Sequence, residues 1–175
     1  MTRILLIGFM AAGKTTLGRA LAHDLGLQFI DLDHYIENRY HRTVSQLFAE
    51  RGEEAFRQIE RNMLREVAEF EDVIIATGGG TPCFFDNMEY MNAQGITVFL
   101  NASVDVIHTR LTIARVQRPL VAGKSADELR AYIADTLGRR LPYYTRATYT
   151  FCANMLENAE QVGQSVSRFR ADILH

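Results

Sequence analysis

Lys14 and Thr15 sit at the end of Gly8-Phe9-Met10-Ala11-Ala12-Gly13-Lys14-Thr15-Thr16, which meets the pattern G-x-x-x-x-G-K-[ST] at every fixed position. That spacing suits a polyphosphate. The backbone N–H groups of Ala11, Ala12, Gly13, Lys14, Thr15 and Thr16 can wrap its oxygens, and a following helix adds partial positive charge. Lys14 would reach the terminal phosphates, and the Thr15 hydroxyl would sit on Mg²⁺.

Three further groups could do chemistry. Asp31 and Asp33 are separated by one residue. Beyond the carboxyl end of a strand, Asp31 is placed to hold a Mg²⁺ water and Asp33 to meet a substrate hydroxyl; Asp33 also suits the N-cap of a helix. Arg57 and Glu60 lie one helical turn apart. As a local pattern they read first as a surface ion pair of small worth, and second as an arginine fork for an anionic substrate. Gly78-Gly79-Gly80 ends an apolar run, and its bare backbone lets a ligand approach the N–H groups directly.

The elements that must position these groups follow from periodicity. Ile4–Ile7, Val73–Ala76 and Ile96–Leu100 are short apolar runs, as expected of parallel strands buried on both faces. Gln28–Asp33 and Tyr149–Cys152 complete five strands. Between them, Leu17, Leu21 and Leu25 mark a helix after the phosphate loop, and His34–Tyr40 a second. Thr43-Val44-Ser45-Gln46 is a capping box opening a short helix that Gly52 closes, and a longer helix runs from about 53 to 70. Ser103 caps a helix with Val104, Ile107 and Leu111 on one face; Ser125-Ala126-Asp127-Glu128 opens another, and Val162, Val166, Phe169 and Ile173 mark the last. From Arg110 to Lys124 the chain is basic, with Arg115, Arg118, Pro119 and Gly123 and no acid, as expected of a mobile lid over phosphates.

The expected fold is α/β: a three-layer α/β/α phosphate-loop fold with a five-stranded parallel sheet, a helical substrate-binding insertion over about 33–60 and a mobile lid over about 112–124, all in one domain, 1–175. A net charge of −2 gives no reason to expect a nucleic-acid or anionic-membrane surface. No apolar run is long enough for a membrane span, and strand and loop occupy the N-terminus where a signal peptide would lie. Cys83 and Cys152 are far apart in sequence, so free thiols and a cytoplasmic location are expected.

Taken together, GFMAAGKTT at Gly8–Thr16, FIDLDHYIE at Phe29–Glu37, GEEAFRQIE at Gly52–Glu60, the glycine triplet, RPLVAG at Arg118–Gly123 and RRLPYY at Arg139–Tyr144 resemble the shikimate kinases over nearly the full length. The resemblance implies ATP-dependent phosphorylation of the 3-hydroxyl of shikimate, a step toward chorismate and the aromatic amino acids, with ATP as co-substrate and one Mg²⁺. It implies Lys14, Asp33 and Arg118 as catalytic residues, Arg118 being the lid arginine. Arg57 and Arg140 would grip the substrate carboxylate with Gly78, Gly79 and Gly80, Thr15 and Asp31 would serve the metal, and Arg110 the nucleotide. Glu60 would orient Arg57. Ala11 stands where the family's loop usually has glycine, and the 154–158 loop lacks an arginine often found near the base. Alternatives are a kinase for another small hydroxy acid such as gluconate, or a regulatory nucleotide-binding module without turnover. A monomer is the default expectation.

Overall fold

The structure is a computed structural model that describes residues 1–114 and 123–175. Five strands, β1 (Arg3–Ile7), β2 (Gln28–Asp31), β3 (Val73–Ala76), β4 (Ile96–Asn101) and β5 (Tyr149–Cys152), form one parallel sheet in the order β2-β3-β1-β4-β5. β1 lies at the centre, with Leu5 opposite Ile75 on β3 and Thr97 on β4. Every residue of β3 and all of β1 after Arg3 is buried, which is why these strands read as unbroken apolar runs.

The helices are α1 (Lys14–Leu25), α2 (Leu32–Tyr40), α3 (Val44–Val67), α4 (Asn87–Gln94), α5 (Val104–Ile113), α6 (Ala126–Tyr144) and α7 (Ala159–Ile173). Leu17 and Leu21 of α1, Ile107 and Leu111 of α5, and Phe169 of α7 are fully sequestered in one apolar cluster with the sheet. α1 and α7 pack on each other, as do α5 and α6. Both capping boxes form: Thr43 with Gln46, and Ser125 with Glu128.

The β2–α2 boundary and the stretch after β3 differ from expectation. β2 ends at Asp31 rather than Asp33, and Asp31 itself caps α2 by accepting from the His34 N–H at 3.1 Å. Packing decides between the two aspartates. Starting the helix at Leu32 buries Leu32 and Ile36 one turn apart on one face. Asp33 is thereby released from capping and stands in the first helical turn. Gly52 interrupts α3 where the sequence places the end of the short helix: its φ 81° and ψ 169° are non-helical, a conformation that carries little penalty only without a Cβ, and helical stretches flank it on both sides. α4 and the single 3₁₀ turn Thr81–Cys83 before it have no counterpart in the sequence reading. Of the expected lid, about 112–124, residues 112 and 113 still belong to α5, and Arg115, Arg118 and Pro119 lie outside the described residues.

Candidate active site

β1, β3 and β2 deliver the phosphate loop, the glycine triplet and the Asp31/Asp33 pair to one rim of the sheet, beyond the strands' carboxyl ends. A cavity of about 380 Å³ opens there. Lys14, Thr15, Asp31, Asp33, Gly79 and Arg110 line it, with Ala11, Gly13, Thr16 and Gly78. Ala12 is buried beneath the loop.

Lys14 curls over its own loop: its ammonium donates to the Gly8 carbonyl at 2.5 Å and the Phe9 carbonyl at 2.9 Å. Thr15 donates to Asp31 Oδ2 at 3.2 Å, while the other Asp31 oxygen caps α2. One carboxylate thus fixes both the helix start and the hydroxyl at the loop's end. Ala11 has φ 62°, in the left-handed region. The loop therefore does demand the positive φ for which glycine is freer, and the alanine carries about 1 kcal/mol or more of strain. Arg110 braces the loop from outside. It donates to the Ala11 and Ala12 carbonyls at 3.1 and 3.2 Å, to the Ala153 carbonyl at 2.8 Å, and pairs with Glu157.

Asp33 is the electrostatically unusual member. Burial pushes its carboxyl up to about 6; the Glu60 and Asp31 carboxylates push the same way, and Lys14 opposes them. Near neutrality such a group is mostly ionised yet close enough to its titration point to take a proton.

A second cavity, of about 290 Å³, has Arg57, Arg140, Glu53, Phe84 and Tyr132 among its walls. Arg57 and Glu60 are no surface pair. Glu60 is 1% exposed and the Arg57 side chain 11%, their contact is 3.0 Å, and the guanidinium lies 4.1 Å from the centre of the Phe84 ring. Glu60 also accepts from Thr81 Oγ1 at 2.9 Å. Burial raises the Glu60 pKa, and Arg57 and Thr81 hold it down in part.

The triplet's glycines serve proximity rather than unusual dihedrals. A Cβ on Gly80 would stand 2.8 Å from an Arg57 nitrogen, one on Gly79 2.8 Å from an Arg140 nitrogen, and one on Gly78 3.1 Å from Asp33 Oδ1. Both arginines and the aspartate thus lean on bare backbone, so the turn joins the two cavities. Asp33 lines the first cavity and the two arginines line the second. Among the described residues, all predicted site positions gather at this rim. Arg118 lies outside them. The sequence reading did not find Thr81 and Tyr144, which hold the turn in place. For Tyr144 the signal was present: it stands four residues after Arg140, on the same helical face.

The comparisons with known proteins agree. The family model described as Shikimate kinase matches residues 10–170. A shikimate kinase of Parabacteroides distasonis is 62% identical over 156 residues, covering 89% of this chain and 90% of its own. The crystal structure of shikimate kinase from Bacteroides thetaiotaomicron superposes with a TM-score of 0.97 at 56% identity, covering 99% of both chains. Shikimate kinase from Acinetobacter baumannii in complex with shikimate gives 0.84 at 31% identity, over 98% of this chain and 92% of that one.

Proposed function

Since the chain belongs to the shikimate kinase family and phosphorylates the 3-hydroxyl of shikimate with ATP, on the way to chorismate and the aromatic amino acids, we propose that Lys14, Asp33 and Arg118 carry the transfer. The supporting observation is the shared rim. Lys14 and Asp33 line one cavity, and Arg57 and Arg140 press on the glycine turn that bounds it.

In this reading the phosphate loop, residues 11–16, holds the ATP phosphates through backbone N–H groups and Lys14. Arg110 serves the nucleotide side by fixing the loop's carbonyls. Shikimate lies across the triplet. Its carboxylate meets the planar forks of Arg57 and Arg140 and the donors of Gly78, Gly79 and Gly80, and its 3-hydroxyl meets Asp33. Asp33 accepts the hydroxyl's hydrogen bond, aims its oxygen at the terminal phosphorus, and takes the proton as the new O–P bond forms and the bond from that phosphorus to the β,γ-bridging oxygen of ATP breaks, ADP leaving with the electron pair. The transition state is loose, so alignment and cations matter more than base strength. Arg118 adds a cation from the lid, about 112–124.

Thr15 and Asp31 fit Mg²⁺. They offer paired oxygens at the loop's end, 3.2 Å apart. Among the described residues no three His, Cys, Asp or Glu side chains form a metal cluster, which suits an ion that keeps waters and phosphate oxygens. Bound there, it would offset charge on the phosphates. One domain, 1–175, with its substrate-holding part over about 33–60, acts in this proposal as a cytoplasmic monomer without nucleic-acid or membrane partners. The net charge of −2 is consistent with that. No described helix is long and apolar enough to cross a membrane.

The test is ADP release from ATP and Mg²⁺ on adding shikimate, with gluconate as control. Release with shikimate alone is expected; equal release with gluconate would overturn the substrate assignment.

A further inference from the structure

All three carbonyls of the glycine triplet are engaged. The Thr81 N–H donates to Gly78 O at 3.1 Å and the Cys83 N–H to Gly80 O at 3.0 Å. These bonds belong to the turn itself and need no particular side chain. The middle carbonyl is different. Gly79 O accepts from the Tyr144 hydroxyl at 2.5 Å, across 65 residues of chain. Tyr144 is fully buried at the end of α6, its ring 5.1 Å from that of Phe99 on β4.

A trans peptide is planar, and its C=O and N–H point opposite ways. The chain has no cis peptide among its described residues. A hydroxyl that draws Gly79 O toward the core therefore turns the Gly80 N–H away from it, and Gly80 itself lies against the Arg57 guanidinium, 2.8 Å from where its Cβ would be. Arg140 stands one helical turn back from Tyr144, and its guanidinium lies against the same peptide: a Cβ on Gly79 would meet an Arg140 nitrogen at 2.8 Å.

We propose that Tyr144 is a positioning residue for substrate binding: its hydroxyl fixes the Gly79–Gly80 peptide against the Arg140 guanidinium, so that peptide and guanidinium form one preset grip for a carboxylate. This rests on the reading that the carboxylate of shikimate binds there. Tyr144 does not touch the reacting atoms; it acts through its two neighbours. Burial holds its phenol up at about 12, so the donated proton stays in place through the working range.

The test is Tyr144→Phe, assayed against wild type with shikimate and with its carboxamide. Losing one well-aimed charge-assisted donor predicts a rise in KM for shikimate of about tenfold, with KM for ATP and kcat within about threefold. With the carboxamide the ratio between the two enzymes should shrink to about two or three, since no full charge is then gripped. A KM for shikimate unchanged in a folded variant overturns the proposal. So does an equal penalty for acid and amide, which would mark a merely structural role. Turnover of shikimate by wild type is the control; its failure would count against the substrate assignment instead. If Tyr144→Phe does not fold, a fluorinated tyrosine at 144 retains the hydroxyl with a more acidic proton. Its KM for shikimate should match wild type near pH 7 and worsen at high pH where wild type stays flat; a flat profile in both overturns the proposal.

Discussion

Replacing Asp33 with asparagine should make the protein more stable while removing its activity. The magnitude follows from the Asp33 environment. Its carboxyl is raised from 3.8 to about 6, first by burial, then by Glu60 and Asp31. A shift of about 2 units corresponds to about 3 kcal/mol. Because the folded-state pKa lies above the unfolded one, folded protein binds the proton more tightly. Below pH 3.8 the carboxyl is neutral in both states and costs nothing. As pH rises through the window from 3.8 to about 6 the unfolded chain releases its proton first, and wild-type stability falls; above about 6 the full loss is present. Asparagine never carries the charge. At pH 8 the variant should be more stable by up to about 3 kcal/mol, a Tm higher by roughly 6–12 °C for a chain of this size. At pH 5 about half the gain should remain, and near pH 4 little. The assay is urea or thermal unfolding of both proteins at pH 8, 6, 5 and 4. A variant equal to or less stable than wild type at pH 8, or a gain that ignores pH, would refute the account of a buried, like-charged Asp33.

Three other outcomes follow from the same geometry. The kcat/KM profile should fall with an acid limb at about pH 6, where Asp33 gains its proton, and a limb below pH 5 would place the titrating group elsewhere. Arg57→Ala should raise KM for shikimate at least tenfold and cost about 3 kcal/mol of stability, because Glu60 stays buried without its partner. Removing Glu60 as well should recover part of that stability in a double-mutant cycle, and strict additivity would contradict the pairing. Ala11→Gly relieves a left-handed alanine at φ 62° but loosens the unfolded chain, so stability should change by about 0 to +1 kcal/mol with KM for ATP within twofold. A loss above about 1 kcal/mol would contradict the strain.

The parts of the site that were legible in the sequence are those whose chemistry is local. The phosphate loop is a run of adjacent residues, and β1 and β3 are buried on both faces, so each carries its own pattern. The burial of Arg57 and Glu60 was not legible. Their helix shows a polar pair beside an apolar stripe, while the groups that enclose them, Phe84, Thr81 and Gly80, come from the loop after β3. Nor could cap preference choose between Asp31 and Asp33, since both are good caps; the burial of Leu32 decided it. α4 was missed because Met88 and Met91 give it only one turn of apolar spacing, and its other buried residue is Asn87. The triplet reads in the sequence as bare backbone for a ligand, and what lies against it from within the chain, a pair of arginines and an aspartate, was not legible because each comes from a distant element.

In the proposed reaction Asp33 presents one hydroxyl of shikimate to the phosphorus held by the loop. Phosphorus–proton correlation NMR of the product made from ATP and shikimate tests it most directly. The account predicts a single phosphate coupled to the proton on carbon 3 from wild type, and no such product from Asp33→Asn. Phosphate on another hydroxyl, or the same product formed at a similar rate by Asp33→Asn, would contradict it.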